Sequence, residues 1–169
     1  NNGLYGRRYT GYFNDDVNWF ATATQSTDAG APHYNEEATT DFTNFTSSVY
    51  QNYDNYSWQW LGYFKAPYTD NFVFATNSDD CSYLWLGSNA VAGFTINNAL
   101  VNNGGPHGPT YRYSGSYRLQ GGVYYPIRIQ FGEGAGGDVI SVYYSSSTED
   151  NVSDFNSKFF HITNQDFPA

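Results

Sequence analysis

Within thirty residues, WQWLGYFKAPYTDNFVFATNSDDCSYLWLG (58–87), three apolar runs of strand length are separated by turn chemistry. Residues 57–67 read as one strand ending at Pro67, and 68–71 as a turn. The next strand covers 72–76. A third, 82–87, sets Leu84 and Leu86 on one face and Tyr83 and Trp85 on the other. Further on, Ile127, Ile129 and Phe131 alternate with Arg128 and Gln130. Residues 138–144 follow after the glycine-rich GEGAGG (132–137), and the two runs together predict a hairpin. Strands recur about every ten residues in the second half of the chain, and helical periodicity is absent. The expected class is therefore all-β, an antiparallel β-sandwich or barrel.

Aromatic residues make up 20% of the chain, with 17 Tyr, 13 Phe and no Met, which suits pleated surfaces better than helices. Residues 3–13 read as an aromatic strand broken by glycine. Residues 21–48 read as loop, and NNGGPHGPT (102–110) as a surface loop. No repeat or linker divides the chain, so residues 1–169 are expected to form a single domain.

The formal charge of −9 disfavours nucleic acid and anionic lipid as partners. It suits cation binding, or simple solubility. No run approaches the 18 apolar residues of a membrane span, so membrane insertion is not expected. A single cysteine, Cys81, excludes an intramolecular disulfide. The chain starts at Asn1 with no visible signal peptide, and reads as a monomeric module of something longer.

Asp79 and Asp80 interrupt what otherwise reads as a second hairpin, 75–87. Neighbours on a strand point to opposite faces, and Asp is a poor strand former. The pair is either an ordinary acidic turn or two carboxylates converging on one ligand. GEGAGG leaves a similar choice open. It matches a dinucleotide fingerprint literally at Gly132, Gly134 and Gly137, but strand formers follow where a helix would have to start. Its glycines could turn carbonyls towards a hard cation, with Asp138 and the aspartate pair adding oxygens, which is calcium chemistry. Equally, the loop could be a flexible turn carrying a solvated Asp. The two segments lie over 50 residues apart, so spacing does not decide.

Enzymatic patterns are weak. His33, His107 and His161 have no metal-ligand spacing, and no G-x-S-x-G elbow occurs. Adjacent acids cannot flank a glycosidic bond unless Glu133 or Asp138 serves as the opposite partner. Cys81 has no basic neighbour to activate it. The chain is not expected to be an enzyme.

Taken together, residues 58–87 and 119–144 resemble the protective-antigen-type domain, in its lectin form known from bacterial RTX adhesins and fungal flocculins. The resemblance covers about 57–146. It is carried by a strand pair, the Asp79–Asp80 pair, an aromatic-apolar strand, and the G-x-x-Y-P-I element formed by Gly122, Tyr125, Pro126 and Ile127. It implies a β-sandwich, a cis peptide between Asp79 and Asp80, and one bound calcium. The implied ligands are the side chains of Asp79, Asp80 and Asp138 and the carbonyls of Ala135 and Gly137. About two of the six to eight calcium positions would then stay open for vicinal sugar hydroxyls. Gly136, with His107 and Glu133 on an exposed rim, would complete the carbohydrate site. The loop departs from the fungal members, which carry an Asn there, and is similar to the bacterial form.

The implied function is a calcium-dependent lectin module of an extracellular, cell-surface adhesin, binding cell-surface glycans. The alternative is a glycan-binding accessory module of a secreted glycoside hydrolase. Single-site affinity would be weak, roughly −4 to −8 kcal/mol, with adhesion relying on many copies. Asn44, Asn55 and Asn151 begin glycosylation sequons.

Overall fold

The computed structural model describes residues 2–23, 45, 54–161 and 167, together with the main chain of 36–40. His33 and Asn44 lie outside the described residues. The chain runs β1 (Leu4–Thr10), α1 (Trp19–Thr22), β2 (Glu36–Thr40), β3 (Tyr56–Lys65), β4 (Asp70–Asp79), β5 (Ser82–Leu86) and α2 (Ser88–Val91). It continues through β6 (Val101–Asn103), β7 (Thr110–Tyr113), β8 (Tyr117–Leu119), β9 (Tyr124–Glu133), β10 (Val139–Ser145) and β11 (Phe159–Phe160). The strands form two antiparallel sheets, as expected for a β-sandwich. One has the order β2-β1-β3-β9-β5-β6, with β11 also on β3. The other has the order β10-β4-β7, with β8 also on β4.

Both expected hairpins are corrected by this pairing. β4 and β5 lie in different sheets, and so do β9 and β10. β4 pairs instead with β10, Asp79 opposite Val139, and β5 pairs with β9, Ser82 opposite Phe131. Alternation specifies a strand with distinct faces but not its partner, and the glycine-rich segment lets the chain step from one sheet to the other. Residues 21–48 are also not all loop, since Glu36–Thr40 pairs along β1 as an edge strand. A run of Glu, Ala and Thr carries no alternation of the kind that marks a half-buried strand.

The inter-sheet core holds Ile127, Ile129 and Phe131 of β9, Leu84 of β5, and Phe72, Phe74, Ile140 and Val142 of the opposing sheet. A second apolar layer covers the outer face of the larger sheet: Tyr83 and Trp85 pack there with Tyr9, Phe13 and Phe20. β5 thus shows the two faces read from its alternation, but both are buried. Arg128 and Gln130 are fully buried under this layer. The guanidinium donates to the Ala90 carbonyl and Gln59 Oε1, each at 2.8 Å, and Gln130 donates to the Val17 carbonyl at 2.9 Å. Gly6 is required where β1 crosses β3, because a Cβ there would sit 2.6 Å from the Trp60 ring. Among the described residues, no helix is long and apolar enough to cross a membrane.

Candidate functional site

Three sheet-to-sheet connections meet at one end of the sandwich. They are Asp80–Cys81 between β4 and β5, residues 104–109 between β6 and β7, and 134–138 between β9 and β10. The register explains why. Ser82 of β5 faces Asn103 of β6 on one side and Phe131 of β9 on the other, while Ser78 of β4 faces both Thr110 of β7 and Ile140 of β10. Each loop therefore leaves its strand at the same level.

Asp79 and Asp80 are joined by a cis peptide bond. Asp80 is nearly buried, and its carboxylate ties the other two loops together. Its Oδ1 accepts the His107 amide at 3.1 Å, and its Oδ2 accepts the Gly134 amide at 2.8 Å. Asp79 is half-buried, and the 134–138 loop passes so close that a Cβ on Gly137 would lie 3.3 Å from its Oδ2. Burial, and then the charge of Asp80, hold the Asp79 carboxyl above its ordinary range.

Glu133 is the central surprise. It ends β9 fully buried, rather than standing on an exposed rim at the loop tip as expected. Pairing opposite Tyr56 on β3 draws it into the sandwich. Neither of its carboxylate oxygens meets a hydrogen-bond donor, and Asp138 Oδ1 is likewise unpartnered. Burial, followed by the adjacent Asp138 and Asp80, pushes the Glu133 carboxyl far up. Asp138 is nine-tenths buried, and its Oδ2 accepts the Tyr56 hydroxyl at 2.7 Å.

Two groups of acids follow. One oxygen each from Asp79, Asp80 and Glu133 lie within 4.8 Å of one another. The same holds for Asp54, Glu133 and Asp138. At that separation a pair of carboxylate charges repels by about 3 kcal/mol at an effective dielectric near 20. A cluster of hard oxygen donors with unpartnered buried atoms fits a hard divalent cation. Asp79, Asp80 and Glu133 can hold such an ion.

The remaining expected site residues are also placed. Ala135, Gly136 and Gly137 lie exposed on the loop over the cluster, Gly136 at φ +94°. Asp138 is grouped with Glu133 and Asp54, and not with the aspartate pair as expected. His107 is half-exposed, and its ring nitrogens face the carbonyls of Gly108 at 2.8 Å and Asn103 at 3.1 Å. The ring thus braces its own loop, while its amide reaches Asp80. Sequence reasoning missed Asp54 and Tyr56. Asp54 sits just before β3, in a stretch with no pattern of its own, and its Oδ1 accepts the Gly136 amide at 3.3 Å. Tyr56 shows only that a strand begins there.

Comparison with solved structures shows the same fold at low identity. A Clostridium clariflavum anti-sigma factor domain-containing protein superposes with a TM-score of 0.68 at 14% identity, over 95% of this chain and 47% of that one. A second protein of that description matches at TM-score 0.71 and 17% identity over 96% of this chain, which spans about half its length (49%). The epithelial adhesin 6 A domain of Candida glabrata, solved in complex with Galβ1-3GlcNAc, has a TM-score of 0.67 at 18% identity, over 97% and 88% of the two chains. The PA14 sugar-binding domain of an RTX adhesin has a TM-score of 0.68 at 11% identity, over 95% and 99%. No curated protein matches in sequence. The protective-antigen-type resemblance is thereby borne out. The GLEYA domain profile matches residues 56–146, more than half of the sequence and the part that holds the whole acid cluster but Asp54, so the chain belongs to the GLEYA domain family.

Proposed function

We propose that this chain is a calcium-dependent carbohydrate-binding module of a cell-surface adhesin. One observation carries the reading: Asp79, Asp80 and a fully buried, donor-less Glu133 converge beneath an exposed glycine-rich loop. Side chains of Asp79, Asp80 and Glu133, with the carbonyls of Ala135 and Gly137, would hold the ion. Asp138 groups with Glu133 and Asp54.

When bound, calcium supplies open positions at which vicinal hydroxyls can replace water. The protein's own residues do the rest. Asp80 fixes the 104–109 and 134–138 loops through two amides, so both walls of the site are set before a sugar arrives. Gly137 lets the second loop close on Asp79. Exposed Gly136 and half-exposed His107 border the opening, and carboxylate oxygens can accept from sugar hydroxyls.

The structural neighbours support a glycan class. Epithelial adhesin A domains have been solved with Galβ1-3GlcNAc, Galβ1-4GlcNAc and β-lactose. Terminal β-galactosides are therefore the first candidates here. A glycan array read in calcium and again in EDTA tests the proposal. Retention of β-galactosides in calcium and its loss in EDTA are expected. Equal retention in chelator would overturn the metal mechanism.

A further inference from the structure

We propose that a second divalent cation of the calcium class binds beside the first, held by Asp54, Glu133 and Asp138, with Glu133 shared between the two ions. The inference builds on the calcium reading above and adds to it a separate site.

Geometry comes first. The two groups of acids have only Glu133 in common, and in each the donor oxygens lie within 4.8 Å of one another. A carboxylate has two oxygens, and both of Glu133's are buried without a donor. Glu133 therefore has enough oxygens to serve both ions.

The second group also has atoms left over after its hydrogen bonds are made. The Tyr56 hydroxyl occupies Asp138 Oδ2, which leaves the buried Oδ1 with no partner. The Gly136 amide donates to Asp54 Oδ1, which leaves Oδ2 for an ion. Asp54 is exposed, so the group opens to solvent at that residue while its other two members are buried. An ion entering there could keep water on the Asp54 side, as calcium sites commonly do.

Charge makes the same case. The two groups together contain five different acids, Asp54, Asp79, Asp80, Glu133 and Asp138. One doubly charged ion leaves three negative charges, whereas two ions leave one. A buried charge without compensation is strongly unfavourable.

Native mass spectrometry of the full chain, in calcium and after EDTA, reads the number of ions directly. Two calcium ions per chain are expected, falling to one in Asp54→Asn, with that variant retained on the same glycan in calcium. One ion in the wild type would overturn the second site and leave the lectin reading standing. No ion at all would overturn both. Two ions retained by Asp54→Asn, or both lost from it, would also overturn the assignment, since Asp54 would then belong to neither site or to the first.

Discussion

Asp80 and Gly134, 54 positions apart in the chain, are joined by a 2.8 Å hydrogen bond from the Gly134 amide to Asp80 Oδ2. With the His107 amide on Oδ1, this gives Asp80 a structural duty that Asp79 lacks. The two neighbouring aspartates should therefore separate on substitution. Asp80→Ala leaves two amides near the core without acceptors, at a cost of about 1–3 kcal/mol each if they stay dry. Asp79→Ala removes a carboxylate that burial and Asp80 already hold above its ordinary range. Both variants should lose calcium-dependent retention on sugar. In EDTA, only Asp80→Ala should melt well below wild type. Equal melting temperatures in chelator would show that the Asp80 bonds do not fix the loops.

Calcium should raise the melting temperature of the wild type. An ion that binds only the folded state contributes about 2.7 kcal/mol at a hundredfold excess over Kd. For a domain of this length that corresponds to roughly 5–10 °C. Magnesium should do less, because it demands near-octahedral geometry and sheds water reluctantly. A melting curve in calcium, magnesium and EDTA checks the order. Identical curves in all three would exclude a tightly held ion.

The Tyr56 hydroxyl orients Asp138 through a 2.7 Å bond, while its ring stays in the core, edge-on to Phe131 at 6.0 Å. Tyr56→Phe keeps the ring and removes only the hydroxyl. Partners that orient ligand carboxylates are typically worth 10–100-fold in metal affinity. Calcium titration followed calorimetrically should show a loss of that size at the site of Asp54, Glu133 and Asp138, with the fold intact. An unchanged isotherm would mean that Asp138 needs no orienting.

The sequence shows the strands of the second half well, because Leu84 and Leu86 against Tyr83 and Trp85 form a two-residue period that survives into the structure. It does not show their partners. Whether β9 folds back on β10 or crosses to the other sheet depends on long-range packing, and GEGAGG permits either path. The aspartate pair is visible because two acids between apolar runs contradict strand propensity. Glu133 is visible as a residue but not as a buried one, since its burial comes from Tyr56 across the sheet. Asp54 gives no signal, because its role arises only when the 134–138 loop arrives above it.

Cys81 follows directly on the acid pair and is fully buried in the outer layer with Tyr83, Trp85 and Phe13. Burial pushes its thiol up to about 12. The thiolate, which is the reactive form, is therefore a minute fraction at neutral or mildly alkaline pH. The side chain also has no path to solvent while the layer holds. Cys81 should be silent to a disulfide-exchange reagent such as DTNB in the native protein and react fully in guanidinium. Because Cys81 ends the connection that carries Asp80, its labelling rate also reports local opening at the site. That rate should fall when calcium is added and rise in EDTA, since an ion bound to Asp79 and Asp80 opposes any opening that separates them. Fast labelling of the native protein in calcium would show that the outer layer does not close over this end of the sandwich.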